Sequence, residues 1–295
     1  MQIELNKDLI ANFLETKFPN ADIRFFGEGW TSTAFAVNDE IFRFPKTEPV
    51  LKRYEREIRI LSMVRPFTDT PIPDPRMIMD EVFPYVVHKL LPGVHWSVSE
   101  FDSMSPELQD CLVKDCAAFL FQLHSIDLKA AKKIVAETKI GKTITEPVSK
   151  EEIKAIIGDR IAPNTLDYIY DQYLEVNDIK STDDICVLHK DFKGTNTVID
   201  DSGRLAGVFD FVNSNIGERA SEFRYFYNPK KPAFLTKMID EYERISGIRI
   251  DMNRIKILCL RDNINGMRNL GMPHLESVRD SAIKSRVERM MFFAK

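Results

Sequence analysis

Residues 188–196 read L-H-K-D-F-K-G-T-N, and residues 208–211 read V-F-D-F. The first string sets His189, Asp191 and Asn196 at the spacing H-x-D-x-x-x-x-N, and the second brings Asp210 nineteen positions after Asp191. Phosphoryl transfer of the kinase type needs such a set. One Asp accepts the proton of the attacking hydroxyl, while an Asn and a later Asp hold Mg²⁺ on the nucleotide phosphates. A lone H-x-D arises often by chance. Here an apolar strand at 185–188 leads into the loop, and two more at 197–199 and 205–209 follow, joined by a D-D-S-G turn. That order would bring Asp191, Asn196 and Asp210 around one pocket.

Upstream, the chain reads as strands with a key helix. Residues 7–18 carry Leu9, Ile10, Phe13 and Leu14 at helical spacing, and residues 23–26, 34–37 and 40–44 are short apolar runs separated by turn residues. The first turn, F-G-E-G-W-T-S-T-A-F, combines Gly27 and Gly29 with Thr31, Ser32 and Thr33. Glycine lets the backbone approach closely, so this loop can offer N–H groups and hydroxyls to phosphate oxygens. The strand I-F-R-F-P-K then supplies two candidate phosphate-binding cations, Arg43 and Lys46.

A helix follows with Leu51, Tyr54, Ile58 and Leu61 as its apolar stripe, and Glu57 lies nearer that stripe than Glu55. A carboxylate at the edge of a buried face needs a cationic partner. The P-I-P-D-P stretch ends any helix. Residues 77–91 read as two extended runs broken near Glu81, and residues 85–90 as the connector between two lobes. Its Tyr85, Val87 and Lys89 are the candidate purine contacts.

Beyond Ser105 the chain turns helical, with Leu108, Leu112, Val113, Cys116, Phe119, Leu120 and Leu123 in a 3.6-residue rhythm ending near His124, read as a packing or capping residue. Trp96 reads as packing, and Asp159, Asp167 and Asp171 as solvated charges on a helical insertion broken at Pro147 and Pro163. The last region is again helical, with Tyr225, Phe226, Tyr227, Tyr242 and Ile245 as core positions. The expected fold class is α+β and bilobal: residues 1–90 an antiparallel-sheet, nucleotide-binding lobe, and residues 91–295 a mainly helical catalytic and substrate lobe.

The bulk composition narrows the partners. A net charge of −4 gives no basic face for nucleic acid. Four cysteines with neither a C-x-x-C pair nor zinc spacing read as reduced thiols. No apolar run reaches the ~18–20 residues of a membrane span, and the polar M-Q-I-E-L-N-K-D start lacks a signal-peptide pattern. A cytoplasmic monomer, without membrane or nucleic-acid partner, is the expectation.

The combination G-E-G-W-T-S-T, E-I-R-I-L, F-L-F-Q-L-H, L-H-K-D-F-K-G-T-N and V-F-D-F resembles the aminoglycoside phosphotransferase family. I-F-R-F-P-K and the length look most like its 2″-type enzymes. Nearly the whole chain is covered, and the core motif is shared with choline, homoserine and sugar or fructosamine kinases of this fold. The resemblance implies a protein-kinase-like fold and transfer of the γ-phosphoryl of ATP or GTP, with Mg²⁺, to a hydroxyl of a small molecule. Asp191 would be the catalytic base, His189 a support of its loop, Asn196 and Asp210 the Mg²⁺ ligands, and Glu57 the partner of the phosphate-binding cation.

Three departures stand out. Arg43 falls where the family has a strand lysine, and the two cations differ in shape and hydration. Lys190 replaces the common glycine of G-D. The usual G-D-P-A-x-D reads G-E-R-A-S-E, with Glu218 and Glu222 in place of aspartates. A cationic aminoglycoside would require carboxylates near the acceptor site, for which Glu218, Glu222, Glu241 and Asp262 are the candidates. The alternatives are a metabolic kinase of another small alcohol or amine, or a nucleotide-binding pseudokinase suggested by Arg43.

Overall fold

The computed structural model describes residues 6–138, 147–271 and 273–294. Residues 1–5, part of the start read above for a signal sequence, and residues 139–146 of the helical insertion lie outside the described residues. The protein has the protein-kinase-like fold, with an N-terminal antiparallel sheet and a mostly helical remainder.

Helix α1 (Lys7–Lys17) is capped by the Asn6 side chain and precedes strands β1 (Ile23–Glu28), β2 (Ser32–Val37) and β3 (Glu40–Pro45). Helix α2 (Glu48–Val64), with Pro49 in its first turn, crosses to strands β4 (Arg76–Ile78) and β5 (Tyr85–Lys89). The strands form one antiparallel sheet in the order β1-β2-β3-β5-β4. Side chains alternate across a strand. Phe42, Phe44, Tyr85 and Val87 therefore pack with Ile10 and Leu14 of α1. Val86 meets Val50 and Tyr54 of α2 on the opposite face.

The stripe expected on α2 is rotated. Val50, Tyr54, Glu57, Leu61 and Val64 are buried, whereas Leu51 and Ile58 are half-buried. Glu57 lies inside the stripe because polar partners meet it there. The second difference concerns the connector: β5 is paired with β3 and with β4, so residues 85–87 spend their backbone in the sheet and the crossing to the helical part begins at Leu90.

The remainder comprises α3 (Val98–Phe101), α4 (Pro106–His124), α5 (Leu128–Glu137), α6 (Lys150–Ile157), α7 (Pro163–Asn177), α8 (Ala233–Ser246), α9 (Met252–Asn265) and α10 (Arg279–Met290). Pro163 starts α7 rather than interrupting a helix, as a first-turn proline has no N–H to satisfy. Among these helices run β6 (Ile185–Leu188), β7 (Thr197–Ile199), β8 (Leu205–Val208) and β9 (Asn215–Glu218), paired as β6-β9 and β7-β8. Strand β9 has no counterpart in the sequence reading, since N-I-G-E is too short and polar to carry a period-2 signal.

One core joins α4 and α8 to Phe192, Phe211 and Phe223 beneath the H-x-D loop. A second gathers α6, α7, α9 and α10. Trp96 and His124 are buried packing residues, the former donating to Thr197 Oγ1 (2.7 Å) and the latter bonded to the Tyr242 hydroxyl (2.9 Å). Among the described residues no helix is long and apolar enough to cross a membrane.

Candidate active site

The loop between β6 and β7 turns through Lys190, whose φ is +65°. This is the left-handed region, which costs an L-residue roughly 1–2 kcal/mol and suits glycine. The glycine expected there by resemblance thus has a backbone reason, and lysine tolerates the strain because the loop is pinned from several sides. Glu222 accepts from the His189 N–H (2.6 Å) and the Lys190 N–H (2.9 Å), and Arg224 donates to the Lys190 carbonyl (3.1 Å). Gly194 follows; a Cβ there would meet the Trp96 carbonyl oxygen at 2.0 Å.

His189 is fully buried behind the loop. Its Nε2 lies 2.9 Å from the Phe209 carbonyl, and its Nδ1 accepts from the Asp191 N–H at 3.2 Å. The carbonyl partner makes Nε2 the protonated nitrogen. Burial pulls the imidazole below its ordinary pKa, against the pull of Glu222 and Asp191. A neutral ring with both nitrogens spent on backbone positions Asp191 and has no nitrogen left for a hydroxyl proton.

The Asp191 carboxylate is held from two sides. Its Oδ2 accepts from Asn196 Nδ2 (2.9 Å) and its Oδ1 from Lys193 Nζ (2.8 Å). The same amide nitrogen also donates to the Asp191 carbonyl (2.9 Å), which fixes the Asn196 side chain with its oxygen left for another ligand. Asp210 follows β8 in left-handed backbone at φ +63°. Burial pushes its carboxyl up and Arg43 draws it back.

Arg43 and Glu57 form a buried ion pair with Nη2 to Oε2 at 2.6 Å. The other Glu57 oxygen accepts the Phe211 N–H at 3.1 Å, and Arg43 Nη1 stands 3.6 Å from Asp210 Oδ1. The guanidinium also lies over the Tyr54 ring, 5.1 Å from its centroid. Burial alone would lower the Arg43 pKa; Glu57, Tyr54 and Asp210 outweigh it and hold the charge in place. Sheet, α2 and the Asp210 segment are thereby tied at one point.

Lys46 points elsewhere. Its ammonium is 2.7 Å from Glu28 and 3.3 Å from the Ser277 hydroxyl, which itself donates to Glu28 at 2.8 Å. Of the glycine turn, the Gly29 N–H donates to the Ser32 carbonyl (2.9 Å), Thr33 is buried, and β1 bulges between Phe25 and Gly27. The Tyr85 and Val87 side chains face α1 rather than the α2 face where Arg43 sits, because of strand alternation; Val86 and His88 occupy that face, and Lys89 is exposed.

The four carboxylates expected at the acceptor site do not gather. Glu218 is bidentate with Arg254 (2.6 and 2.7 Å), Glu222 is wholly buried under the loop, and Glu241 pairs with Arg244 one turn along α8. Of the four, Glu222 and Asp262 lie near Asp191, Glu222 spent on the loop backbone and Asp262 3.4 Å from Arg224. Glu218 is taken by Arg254 from a distant helix and Glu222 by backbone N–H groups, neither of which a local pattern reveals, whereas Glu241 and Arg244 stand at an i,i+3 spacing. The sequence reading missed Lys193, Arg224, Tyr225, Arg286 and Arg289. A signal existed for two of them, since Arg286 and Arg289 are three apart on one helix and share a face.

Residues 22–257 match the Phosphotransferase enzyme family (APH). The chain belongs to that family. Its fold is shared with the GDP and kanamycin complex of an APH(2″) enzyme at TM-score 0.70 and 16% identity, covering 96% of this chain and 97% of the other. The streptomycin–ATP complex of APH(2″)-IIa gives 0.63 at 18% identity, covering 99% of each. A macrolide 2′-phosphotransferase from Brachybacterium faecium gives 0.61 at 18% identity, covering 96% and 98%. This APH-family phosphotransferase therefore keeps the fold of those enzymes at low sequence identity.

Proposed function

We propose that this enzyme is a small-molecule kinase that transfers the γ-phosphoryl group of ATP or GTP to a hydroxyl. The observation that carries the reading is the convergence of Asp191, Asn196 and Asp210: Asn196 donates to Asp191, the Asn196 carbonyl accepts the Phe209 N–H (3.0 Å) beside Asp210, Asp191 and Asp210 feel each other's charge, and the Arg43–Glu57 pair joins the same point. The acceptor oxygen attacks the γ-phosphorus, the bond to the β,γ-bridging oxygen breaks, and the hydroxyl proton passes to Asp191. Lys193 and Asn196 hold the Asp191 carboxylate in one orientation for that transfer. Catalysis is then mainly positioning and electrostatic stabilisation. His189 orients the base through the Asp191 backbone.

The donor set suits Mg²⁺, a hard cation that takes one or two protein oxygens and completes its shell with water and phosphate. The Asn196 amide oxygen and the Asp210 carboxylate would hold it, and when bound it neutralises charge on the nucleotide phosphates. Arg43 takes the position of the phosphate-gripping cation, since its pairing with Glu57 matches that role and Lys46 is engaged with Glu28. An Arg43 that keeps this pairing removes the motive for a pseudokinase reading.

The likeness to aminoglycoside-modifying enzymes makes an aminoglycoside the first acceptor to test. The arrangement of charge favours the second expectation, another small hydroxyl compound, because three of the four candidate carboxylates are committed to arginines or to the loop. The deciding experiment for the reaction type is Asp191→Asn. Nucleotide turnover with an acceptor should fall by about 10²–10⁴ while Mg²⁺–nucleotide affinity holds. Unchanged turnover would refute the assignment.

A further inference from the structure

Beside Asp191 the protein gathers positive charge. The Tyr225 ring lies among three cations: Arg224 is 4.3 Å from its centroid, Arg289 5.2 Å and Lys193 5.4 Å. Arg286 of α10 is part of the same group, within the electrostatic reach of Tyr225, Asp262, Arg224 and Arg289. Lys190 completes it from the loop, close enough to Arg224 and Asp262 to feel both.

The carboxylates do not balance these cations. Asp191 is matched by Lys193 at 2.8 Å, and Asp262 by Arg224 at 3.4 Å. Glu222, also nearby, spends its two oxygens on backbone N–H groups. Among the described residues, Lys190, Arg286 and Arg289 have no carboxylate within ion-pair distance.

Two details indicate a built site rather than a surface accident. The Nε atoms of Arg286 and Arg289 are both buried without a hydrogen-bond partner. Gly266 makes room for Arg286, since a Cβ there would meet Nη2 at 2.0 Å. The hydrogen bonds these two arginines do make go to neutral groups: Arg286 Nη1 to the carbonyls of Asp262 and Asn263, and Arg289 Nη2 to the Arg224 carbonyl and Cys259 Sγ. These half-buried cations share the single carboxylate of Asp262, which Arg224 already pairs, and charge-assisted bonds to an anion are the strong way to offset such an excess.

We propose that the acceptor, on the kinase reading above, carries an anionic group (carboxylate or phosphate) beside its reactive hydroxyl, received by Lys190, Arg286 and Arg289 next to Tyr225. A polycationic acceptor would be repelled by the same residues. A phosphate of the nucleotide is the other source of the same chemistry, so the test is made with the nucleotide site filled.

The full chain is saturated with Mg²⁺ and a non-hydrolysable ATP analogue, then titrated with inorganic phosphate, glucose 6-phosphate, glucose and kanamycin, with sodium chloride as ionic-strength control. Thermal stabilisation and calorimetry are the readouts. Phosphate and glucose 6-phosphate should bind saturably, and Arg289→Met should weaken both about tenfold or more, the loss of one charge-assisted contact. Lys190→Met guards against misfolding, because its ammonium makes no hydrogen bond or ion pair among the described residues; it should weaken both anions in the same direction. Nucleotide affinity measured without anion should stay within about threefold, well under one such contact.

Kanamycin or glucose binding more tightly than the anions, or no saturable anion binding with the nucleotide site filled, overturns the proposal. A variant that weakens the nucleotide instead reassigns the cations to the nucleotide phosphates and overturns it too. Turnover of a neutral or cationic acceptor that Asp191→Asn abolishes would leave the kinase reading standing while this inference falls.

Discussion

Arg43 and Glu57 meet at 2.6 Å inside the molecule, and the second Glu57 oxygen holds the Phe211 N–H, so one carboxylate ties β3 to the Asp210 segment. Removing one member of a buried pair leaves the other charge without compensation, at a cost of about 3–5 kcal/mol. Arg43→Ala should therefore lower unfolding free energy in urea by that amount and weaken nucleotide binding. Arg43→Lys keeps the charge on a shorter, non-planar head and should fall between. An Arg43→Ala protein with a wild-type urea midpoint would show that the pair contributes nothing to the fold.

Lys46 and Arg43 separate as phosphate-binding candidates by the company they keep. Lys46 joins Glu28 to Ser277, linking the glycine turn to the segment before α10. Lys46→Met should leave nucleotide affinity within about threefold, whereas Arg43→Met should cost tenfold or more, the loss of a charge-assisted contact. Equal losses in the two variants, read by calorimetry with Mg²⁺–ATP, would restore Lys46 as a rival.

The parts legible in the sequence were those carried by local pattern. H-x-D-x-x-x-x-N followed by V-F-D-F marked Asp191, Asn196 and Asp210, and apolar periodicity marked α4 and the strands other than β9. Glu57 was readable as a carboxylate needing a cation. The partners of Glu218 and Glu222 were not, because Arg254 comes from a distant helix and the Glu222 partners are backbone N–H groups. Strand faces were the other loss: Tyr85 and Val87 alternate with Val86 and His88, and only the docking of α1 decides which set faces away from α2.

The H-x-D loop carries two opposite backbone demands. Gly194 has the Trp96 carbonyl where a Cβ would stand, while Lys190 sits at φ +65° with a side chain that the conformation disfavours. Gly194→Ala should push the loop from its place and cut soluble yield or turnover sharply. Comparing Lys190→Gly with Lys190→Ala removes the ammonium in both and isolates the backbone. The glycine protein should be the more stable by about 1 kcal/mol, and equal stabilities would mean that the loop is not strained at this residue.

His88 lies buried on the α2 face of β5, with its Nδ1 at 2.8 Å from the Lys89 carbonyl. Burial, and then the nearby Arg43 charge, lower its pKa from 6.5 to about 4. The unfolded chain therefore binds this proton first as pH falls. The stability that His88 contributes is complete above pH 6.5 and is lost progressively between 6.5 and 4, a total of roughly 3 kcal/mol. Buried His124 and His189 are lowered in the same direction, so the His88 part must be taken by difference. His88→Gln keeps a polar side chain that does not titrate. Its urea midpoint should fall less steeply from pH 6.5 to pH 4 than that of the wild type, by up to about one proton's slope, ~1.4 kcal/mol per pH unit. Parallel profiles for the two proteins would mean that His88 is protonated in the folded state as readily as in the unfolded one.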